Sequence, residues 1–448
     1  MHRRVSVHNG SLRYSIMFKK ISLHGWRQFR SVDISFHPQL TILTGANGAG
    51  KTTLLNMVSR HFGWGGQFIS TPSRRGSGPG LMYSTDFWDL DESDQADPIH
   101  SHDEFRKPRM PPKPQGPQTE IGEIIYDNDH RTPITVPTGQ VGSSYDVNIP
   151  SQQQVEGLHI PSHRPTYSYQ PVQNIPTIPR RRNEVFSQYS SLIRTRFSGG
   201  HTQWSPQYYM KETLIALATF GYGNSAVEPD PESARIFEDF QEVLRRMLPP
   251  KLGFIKLLVR VPEVVLETES GRFSIDALSG GAAAVLDLAW QVFMYQPSGS
   301  RFVVTLDEPE NHLHPELQQR VLADLVKAFP TVQFIVATHS PFIVGSVPDS
   351  NVYVLDYDAT RRVNSDLLDT VNRAGSANEI LRDVLGLEFT MPVWVETKLE
   401  NLVEHYSIQD FTDENITALR LEMESLGFSK HIPLAIARIA QRKDQTHD

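Results

Sequence analysis

The chain has no cysteine, no long apolar run and no excess of positive charge, and each absence narrows its class. Without cysteine, disulfide bonds and thiolate metal sites are excluded. No stretch approaches the ~20 apolar residues of a membrane span, and no export signal is present, so we expect a cytoplasmic protein without a membrane partner. A net charge of -8 over 448 residues disfavours a protein that coats nucleic acid, but it is compatible with a local basic patch.

Changes in composition divide the chain into regions. Residues 1–16 are polar and lack periodicity, which predicts a disordered N-terminal extension. Residues 70–157 are rich in proline, glycine, serine and acidic residues and predict a poorly ordered insertion, with a hairpin of residues 120–126 and 132–136 inside it. No sustained heptad repeat occurs there, so we do not expect a long coiled-coil arm.

Apolar periodicity predicts an α/β protein. Two short apolar, β-branched runs, residues 302–306 and 332–337, flank a helix at 315–329, and this pattern is typical of a parallel sheet covered on both faces. Further predicted elements are two antiparallel strands within residues 21–36, a helical subdomain at about 205–250, strands at 254–261, 264–267 and 273–275, and a mostly helical C-terminal region, 356–448, that would contact a partner or another copy.

A glycine-rich stretch, Gly45-Ala46-Asn47-Gly48-Ala49-Gly50-Lys51-Thr52, connects a short buried strand to a helix. Such a loop wraps backbone N–H groups around a triphosphate, and side chains at Gly45, Gly48 and Gly50 would block that approach. Lys51 would reach the β- and γ-phosphates, and Thr52 would hold Mg²⁺ through its hydroxyl. We therefore predict a site for ATP and Mg²⁺, which Asn47 and Thr53 also line.

Two further strand ends carry polar residues. Asp307 ends a buried apolar strand, where a carboxylate is costly unless it meets a cation or donors, and Mg²⁺ would meet that need. Glu308 follows it and suits a general base that orients the attacking water. His339 ends the next apolar strand and could donate to the γ-phosphate or hold that water. A lone histidine there would usually be structural, but its place one strand after Asp307 favours a catalytic role.

Ser279, Gly280 and Gly281 open an alanine-rich helix. The free N–H groups of the helix N-terminus and the Ser279 hydroxyl would make a second anion site. One copy of the chain cannot easily use both anion sites on one nucleotide. We therefore predict a homodimer, or a higher homo-oligomer, with ATP held between Lys51 of one copy and Ser279 of the other.

These motifs, in this order, resemble the ABC-type ATPase head. The stretch from Asp307 to Pro315, with Ala337-Thr338-His339-Ser340-Pro341, is similar to the RecF/OLD-like branch. The resemblance runs from about Phe18 to Leu355, apart from a poorly matched part between 70 and 157. It implies a P-loop ATPase domain over residues 17–355 with a parallel core sheet, an antiparallel β-subdomain and a helical subdomain, followed by a helical extension.

The chain departs from that family in two places. Ala282 stands where transporters often have glutamate or glutamine after the signature glycines. No glutamine lid residue is evident, and residues 160–165 occupy its place; there His163 or Arg164 would sense the γ-phosphate, bind a partner or form a surface loop. Trp26 or Phe29 could stack on adenine, although core packing is the stronger expectation.

The resemblance is greatest to the stand-alone ATPase subunits of bacterial anti-phage systems, such as the Septu ATPase PtuA and the PARIS ATPase AriA. It implies an ATP-hydrolysing sensor that detects phage DNA or a phage protein and controls a separate effector, a nuclease. The alternatives are a RecF-like DNA-repair ATPase and, with less support, a transporter ATPase. Residues 393–396 faintly resemble the start of a nuclease domain, but no later Asp-x-Asp completes its metal site.

Overall fold

The computed structural model describes residues 15–74, 81–86, 118–138, 141–163, 169–178, 180–296, 301–369, 377–381, 393–407 and 412–445. The chain forms two compact units, Met1–Ile380 and Leu381–Asp448. The extension predicted at residues 1–16 lies outside the described residues except for its last two, as does much of the insertion predicted at 70–157.

The described strands all belong to the first unit. In chain order they are β1 (Phe18–Trp26), β2 (Phe29–Ser35), β3 (Leu40–Gly45), β4 (Phe68–Ile69), β5 (Thr71–Arg74), β6 (Leu81–Ser84), β7 (Gln118–Tyr126), β8 (Arg131–Pro137), β9 (Ser144–Tyr145), β10 (Gly157–Ile160), β11 (Phe254–Arg260), β12 (Glu263–Thr268), β13 (Gly271–Ser274), β14 (Phe302–Asp307), β15 (Val332–Ala337), β16 (Asn351–Tyr357) and β17 (Val363–Leu367).

The helices occur in both units. They are α1 (Lys51–Ser59), α2 (Arg182–Phe197), α3 (Pro206–Tyr222), α4 (Pro231–Met247), α5 (Gly280–Tyr295), α6 (Pro315–Ala328), α7 (Pro341–Val344), α8 (Ala377–Glu379), α9 (Val393–Ser407), α10 (Asp413–Ser425) and α11 (Ile432–Gln445), with 3-10 turns at Arg60–Phe62, Pro250–Leu252, Ile275–Ala277 and Ser429–His431.

A ten-stranded sheet organises the first unit, in the order β10-β14-β15-β3-β16-β17-β2-β1-β7-β8. The first five strands of that order are parallel. Strands β3, β14 and β15 are buried along their whole length, as expected of strands covered on both faces. Their apolar, β-branched sequences therefore form the centre of the unit, and their carboxyl ends meet at one edge.

The rest of the large sheet is mainly antiparallel, through the pairs β16–β17, β2–β1, β1–β7 and β7–β8. A separate three-stranded sheet holds β11, β12 and β13. The predicted fold class is confirmed: a P-loop α/β head with a parallel core, an antiparallel β-subdomain and a helical subdomain, in a chain whose C-terminal part is helical.

Helices pack on the parallel strands and on one another. Helix α1 packs on β14 and β15, and α5 packs against α2 and α4. Helix α4 shows why these segments are helical: Asp230 caps it by accepting from the N–H of Glu232, and Pro231 occupies its first position. Its apolar residues at helical spacing are buried, Phe240 and Leu244 completely, so burial of one face holds the helix in place.

The second unit contains the helices α9, α10 and α11. Apolar side chains from all three form its own core, with Leu399, Val403 and Met423 fully buried. Arg438 in α11 donates to Glu396 in α9 at 2.5 Å. Residues 393–396, which resembled the start of a nuclease domain, instead form the first turn of a helix whose glutamate is paired inside this small bundle.

Two regions differ from the sequence-based expectation. The first unit extends past residue 355, because β17 pairs with β16 and with β2 inside the large sheet; the helical character expected from residue 356 begins only after that strand. The hairpin predicted inside the 70–157 insertion exists as β7 and β8, but it is an integral edge of the same sheet.

Helix α2 is absent from the sequence-based prediction. Its buried positions are Val185, Tyr189 and Ile193, spaced four residues apart, and the other thirteen of its sixteen residues are half-buried or exposed. A stripe this narrow gives little apolar periodicity. Tertiary packing on α5 therefore determines this helix.

Two glycines with positive φ provide a test of the sheet packing. At Gly45 (φ 125°) an added Cβ would lie 2.1 Å from the carbonyl oxygen of Leu355, whereas at Gly63 (φ 75°) it would meet no atom within 4 Å. We expect Gly63→Ala to lower the free energy of unfolding by about 1 kcal/mol, from backbone strain alone. Gly45→Ala should lower it by about 3 kcal/mol or more, because β3 and β16 must separate. Chemical denaturation without nucleotide measures both, and equal losses would contradict this packing.

Candidate functional site

The phosphate loop lies between β3 and α1. Its three glycines have φ of 125° (Gly45), 78° (Gly48) and 96° (Gly50), a region that residues with a side chain rarely adopt. Gly50 also lies under Phe29, whose ring would be 2.3 Å from an added Cβ. Sequence and backbone therefore agree on why these positions are glycine.

Lys51 is folded over this loop. Its Nζ donates to the carbonyl oxygens of Gly45 and Ala46, both at 2.9 Å, and the residue is 5% exposed. Burial lowers the pKa of Lys51 from 10.5 to about 8, against the opposing charges of Asp307 and Glu308. The ammonium is thus held where additional negative charge would be favourable.

The remaining predicted nucleotide residues of the loop surround Lys51. Asn47 and Gly48 are exposed at its tip, and Thr52 and Thr53 lie in the first turn of α1, Thr52 exposed and Thr53 half-buried. The backbone N–H groups of this first helical turn have no partner inside the helix. Loop tip and helix start therefore form one surface on which N–H groups and the helix dipole favour an anion.

Asp307 ends β14 beside α1. The hydroxyl of Thr52 donates to its carboxylate at 3.0 Å to Oδ2 and 3.4 Å to Oδ1. The pKa of Asp307 is raised from 3.8 to about 6, chiefly by burial. The Thr52 hydrogen bond and the charge of Lys51 lower this pKa, while the charges of Glu308 and Glu310 raise it. Within the described residues the Asp307 carboxylate has no ion pair, because the Lys51 ammonium bonds the loop carbonyls and acts on Asp307 only through its charge.

These residues fit Mg²⁺. No group of three or more histidine, aspartate and glutamate side chains suited to a metal occurs among the described residues. Mg²⁺ does not require one, because it commonly binds through one or two protein oxygens with phosphates and water. Thr52 and Asp307 supply two adjacent oxygens next to the phosphate loop, and the buried carboxylate requires positive charge.

Glu308 is the first residue after β14 and has a positive φ of 46°. Its N–H donates to the carbonyl of Ala337 at 2.8 Å, which continues the pairing of β14 with β15. Its carboxylate accepts from Asn311 Nδ2 at 3.0 Å and lies 3.8 Å from His339 Nε2. The structure therefore brings Glu308 and His339 together.

His339 follows β15 and has a side chain 36% exposed. Burial, and then the positive charge of Lys51, lower the pKa of His339 below its usual 6.5, while Glu308 opposes this change. The imidazole is therefore mostly neutral at pH 7 and can donate through one ring nitrogen and accept through the other.

Two polar residues without a predicted role hold these strand ends. Glu310 Oε1 accepts from the Thr338 hydroxyl at 2.7 Å and from the N–H of His339 at 2.8 Å. No partner within the described residues reaches its buried Oε2, and burial raises the pKa of Glu310. The sequence did contain a signal for the roles of Glu310 and Asn311, because both are polar residues that closely follow a buried strand.

The Nδ2 group of Asn311 donates to the carbonyl of Ser162 at 3.1 Å as well as to Glu308. Ser162 follows β10, which ends beside β14, so the loop in the place of the lid is hydrogen-bonded to the turn that carries Glu308. His163 is exposed there, and its predicted neighbour Arg164 lies outside the described residues. Trp26 and Phe29 are fully buried, so core packing is their observed environment.

The Ser-Gly-Gly motif begins α5. The Ser279 hydroxyl caps the helix by accepting from the N–H of Ala282 at 3.4 Å. An added Cβ on Gly281 would lie 3.3 Å from the carbonyl oxygen of His312, whereas Gly280 faces open space. The motif is thus at the N-terminus of a helix, and its Gly281 lies next to the segment that follows Glu308.

No helix in the described part of the chain is both long enough and apolar enough to cross a bilayer. Two sequence families match the chain. The family described as "AAA domain, putative AbiEii toxin, Type IV TA system" matches residues 177–345, and the family described as "AAA domain" matches residues 20–91. Together these ranges include the phosphate loop, the Ser-Gly-Gly motif and the ends of β14 and β15.

Several known proteins are similar to this chain. Retron Vc95 probable ATPase of Vibrio cholerae serotype O1 biovar El Tor is 21% identical over 76% of this chain and 74% of its own length. Septu protein PtuA of Bacillus thuringiensis is 25% identical over 86% of this chain and 88% of its own. Retron Ec83 probable ATPase of Escherichia coli is 32% identical over 23% of this chain, and this match covers only 21% of the retron protein's own length.

Solved structures similar to the chain include the SMC head domain from Thermotoga maritima, with a TM-score of 0.41 and 12% identity, covering 79% of this chain and 99% of that one. Another is an Smc head domain derived from Pyrococcus furiosus, with a TM-score of 0.41 and 17% identity, covering 82% of this chain and 99% of that one. By its own topology and motifs the chain has the fold of an ABC-type ATPase head, and its sequence is similar to Septu PtuA and the retron ATPases.

Proposed function

We propose that the chain is the ATP-binding and ATP-hydrolysing subunit of an anti-phage defence complex. Two copies would face each other with ATP between Lys51 of one and Ser279 of the other, and the ATP cycle would control a separate effector, a nuclease. The similarity to Septu PtuA over most of both chains supports the defence role. The trigger would be phage DNA or a phage protein.

One observation carries the ATPase part of this proposal. Lys51, Asp307, Glu308 and His339 meet at the carboxyl edge of the parallel strands. The Thr52 hydroxyl is 3.0 Å from the Asp307 carboxylate, and the Glu308 carboxylate is 3.8 Å from His339 Nε2. This is a cation for phosphates, an oxygen pair for a metal and a base beside a neutral donor. Such a set suits phosphoryl transfer to water.

The nucleotide would bind to backbone N–H groups of the loop and of the first turn of α1, from Asn47 to Thr53. Lys51 would exchange its two carbonyl partners for the β- and γ-phosphates, because opposite charge satisfies a buried ammonium better than neutral oxygens do. Thr52 and Asp307 would hold Mg²⁺, which when bound neutralises charge on the phosphate oxygens. The raised pKa of Asp307 would fall as that positive charge arrives.

Glu308 would then act on the attacking water. Its carboxylate accepts the water's proton, while Asn311 holds the other carboxylate oxygen in place. His339 donates to the γ-phosphate or to the water, and Glu310 fixes the backbone from which His339 projects. Ser279 of the partner copy closes the site with its hydroxyl and the free N–H groups of α5.

The output of the cycle would lie in another chain. The segment that resembled a nuclease start is helical, and its Glu396 is paired with Arg438. The second unit exposes Trp394 at 59% and Leu421 at 62%, which suits a contact with a partner. Co-purification with the products of neighbouring genes, followed by a nuclease assay with and without ATP, tests this part; recovery of a membrane permease instead would refute it.

Glu308→Gln provides the test of the two-copy ATPase. We expect ATP binding to be kept and hydrolysis to fall by about a hundredfold or more, because the base is lost. The variant should accumulate as an ATP-bound dimer in light scattering. Lys51→Ala should instead lose ATP-dependent thermal stabilisation and remain monomeric. Normal turnover by the glutamine variant would remove Glu308 from the base role.

Asp307→Asn tests the cost of the buried carboxylate. A pKa raised from 3.8 to about 6 corresponds to roughly 3 kcal/mol of destabilisation by the charged form. This cost is absent below about pH 4, grows as pH rises to 6 and is constant above that. With chelator and no nucleotide, Asp307→Asn should therefore melt higher than the wild type at pH 7.5, and the two should converge near pH 4. A lower melting temperature at pH 7.5 would contradict this.

A further inference from the structure

Lys211 in α3 is completely buried and carries a positive charge. Its Nζ donates to Asp276 Oδ2 at 2.7 Å, to the carbonyl oxygen of Gln170 at 2.7 Å and to Glu263 Oε2 at 3.1 Å. An ammonium has three protons to donate, so this set satisfies all of them. The two carboxylates lie in different elements, β12 and the 3-10 turn at Ile275–Ala277.

That 3-10 turn leads directly into the Ser-Gly-Gly motif. Asp276 is three residues before Ser279, and the N–H of Leu278 donates to the carbonyl of Ile275 at 3.4 Å. A second side chain of α3, Gln207, donates to the carbonyl of Ile275 at 3.3 Å. Gln207 and Lys211 are one helical turn apart, so the same face of α3 holds the turn at two points.

The third contact of Lys211, with the carbonyl of Gln170, connects the turn at Ile275–Ala277 to residues 169–170. These residues follow the loop at 160–165, which occupies the place of the lid. Gln170 also accepts from the N–H of Ser205 at 2.8 Å. The Tyr169 hydroxyl donates to Glu263 Oε1 at 2.8 Å, and its ring centre is 5.2 Å from Lys211 Nζ. One buried cation therefore joins the residues 169–170 segment, strand β12 and the turn before Ser279.

We propose that Lys211 is a positioning residue for the Ser-Gly-Gly motif, and that it acts on the ATP held by the partner copy. The proposal rests on the two-copy arrangement of the proposed function. Removing the ammonium would leave the partly buried carboxylates of Asp276 and Glu263, whose side chains are 9% and 19% exposed, without the cation that both contact. Their repulsion would move the turn, and a shift of about 1 Å is enough to misplace the Ser279 hydroxyl.

The isolated variants should separate this role from ATP binding. Lys211→Met keeps the length of the side chain and removes its charge. We expect ATP-dependent thermal stabilisation, which reports the chain's own phosphate loop, to be kept, and kcat to fall by at least about tenfold. Arg180→Met is the matched control. Arg180 pairs at 2.9 Å with Glu212, which lies in α3 next to Lys211 and has no described bond to the turn. The kcat of this variant should be unchanged.

Mixing two defective chains makes the test specific. Glu308→Gln breaks the base of its own site, whereas Lys211→Met should break only the motif offered to the partner. A mixed dimer then contains one site with an intact base and an intact motif. When the chains are mixed before ATP is added, random assortment makes about half of the first dimers mixed. The initial rate, measured before Glu308→Gln dimers accumulate, should therefore be about a quarter of the wild-type rate if the two sites act independently. If Lys211→Met does not fold, Asp276→Asn removes the charge from the other side of the same pair.

Two further mixtures decide between outcomes. Ser279→Arg mixed with Glu308→Gln should recover activity, whereas Thr52→Ala mixed with Glu308→Gln should not, since both damage their own site. Recovery with Ser279→Arg but not with Lys211→Met would overturn the role of Lys211. Failure of the Ser279→Arg mixture would instead overturn the two-copy function itself.

Discussion

The register of the parallel strands is the constraint on which the site depends. Asp307 lies opposite Ala337, and Ala337 lies opposite Leu43, so β14, β15 and the strand before the phosphate loop end at the same level. The N–H of Thr338 donates to Leu43 and that of Glu308 to Ala337, which continues the pairing past the strands. A slip of one residue would turn Asp307 to the opposite face of the sheet.

This arrangement concentrates charge at a partly buried edge of the large sheet. Three carboxylates, those of Asp307, Glu308 and Glu310, lie within electrostatic reach of Lys51. Burial lowers the pKa of Lys51 and raises that of Asp307, so it favours the neutral form of each. The fold holds these groups in place because the strands that carry them, β3, β14 and β15, are buried along their whole length. A nucleotide with its metal ion would supply both a negative charge for Lys51 and a positive charge for Asp307. In the proposed function, nucleotide binding would then stabilise the folded chain.

Much of the site was predictable because local chemistry determines it. A loop with three glycines between a buried strand and a helix is typical of a phosphate-binding loop. Carboxylates directly after apolar strands need a cation or hydrogen-bond donors. The parallel core was predictable for the same reason, since strands buried on both faces are apolar throughout. Helix α2 and strand β17 were not predictable, because each has only a weak apolar pattern of its own. Helix α2 packs on the distant helix α5, and β17 connects its neighbour β16 to the distant strand β2.

The sequence by itself determined the chemical types at the site: the glycine loop, the hydroxyl and carboxylate that we propose hold Mg²⁺, the carboxylate that we propose as the base, and the helix that begins at Ser279. Only the tertiary structure decided which side chains hold them. The contacts of Asn311 with Ser162, of Glu310 with His339 and of Lys211 with Asp276 join residues 149, 29 and 65 positions apart. Periodicity reports which face of an element is buried, but it carries no information on which distant polar group that face will meet.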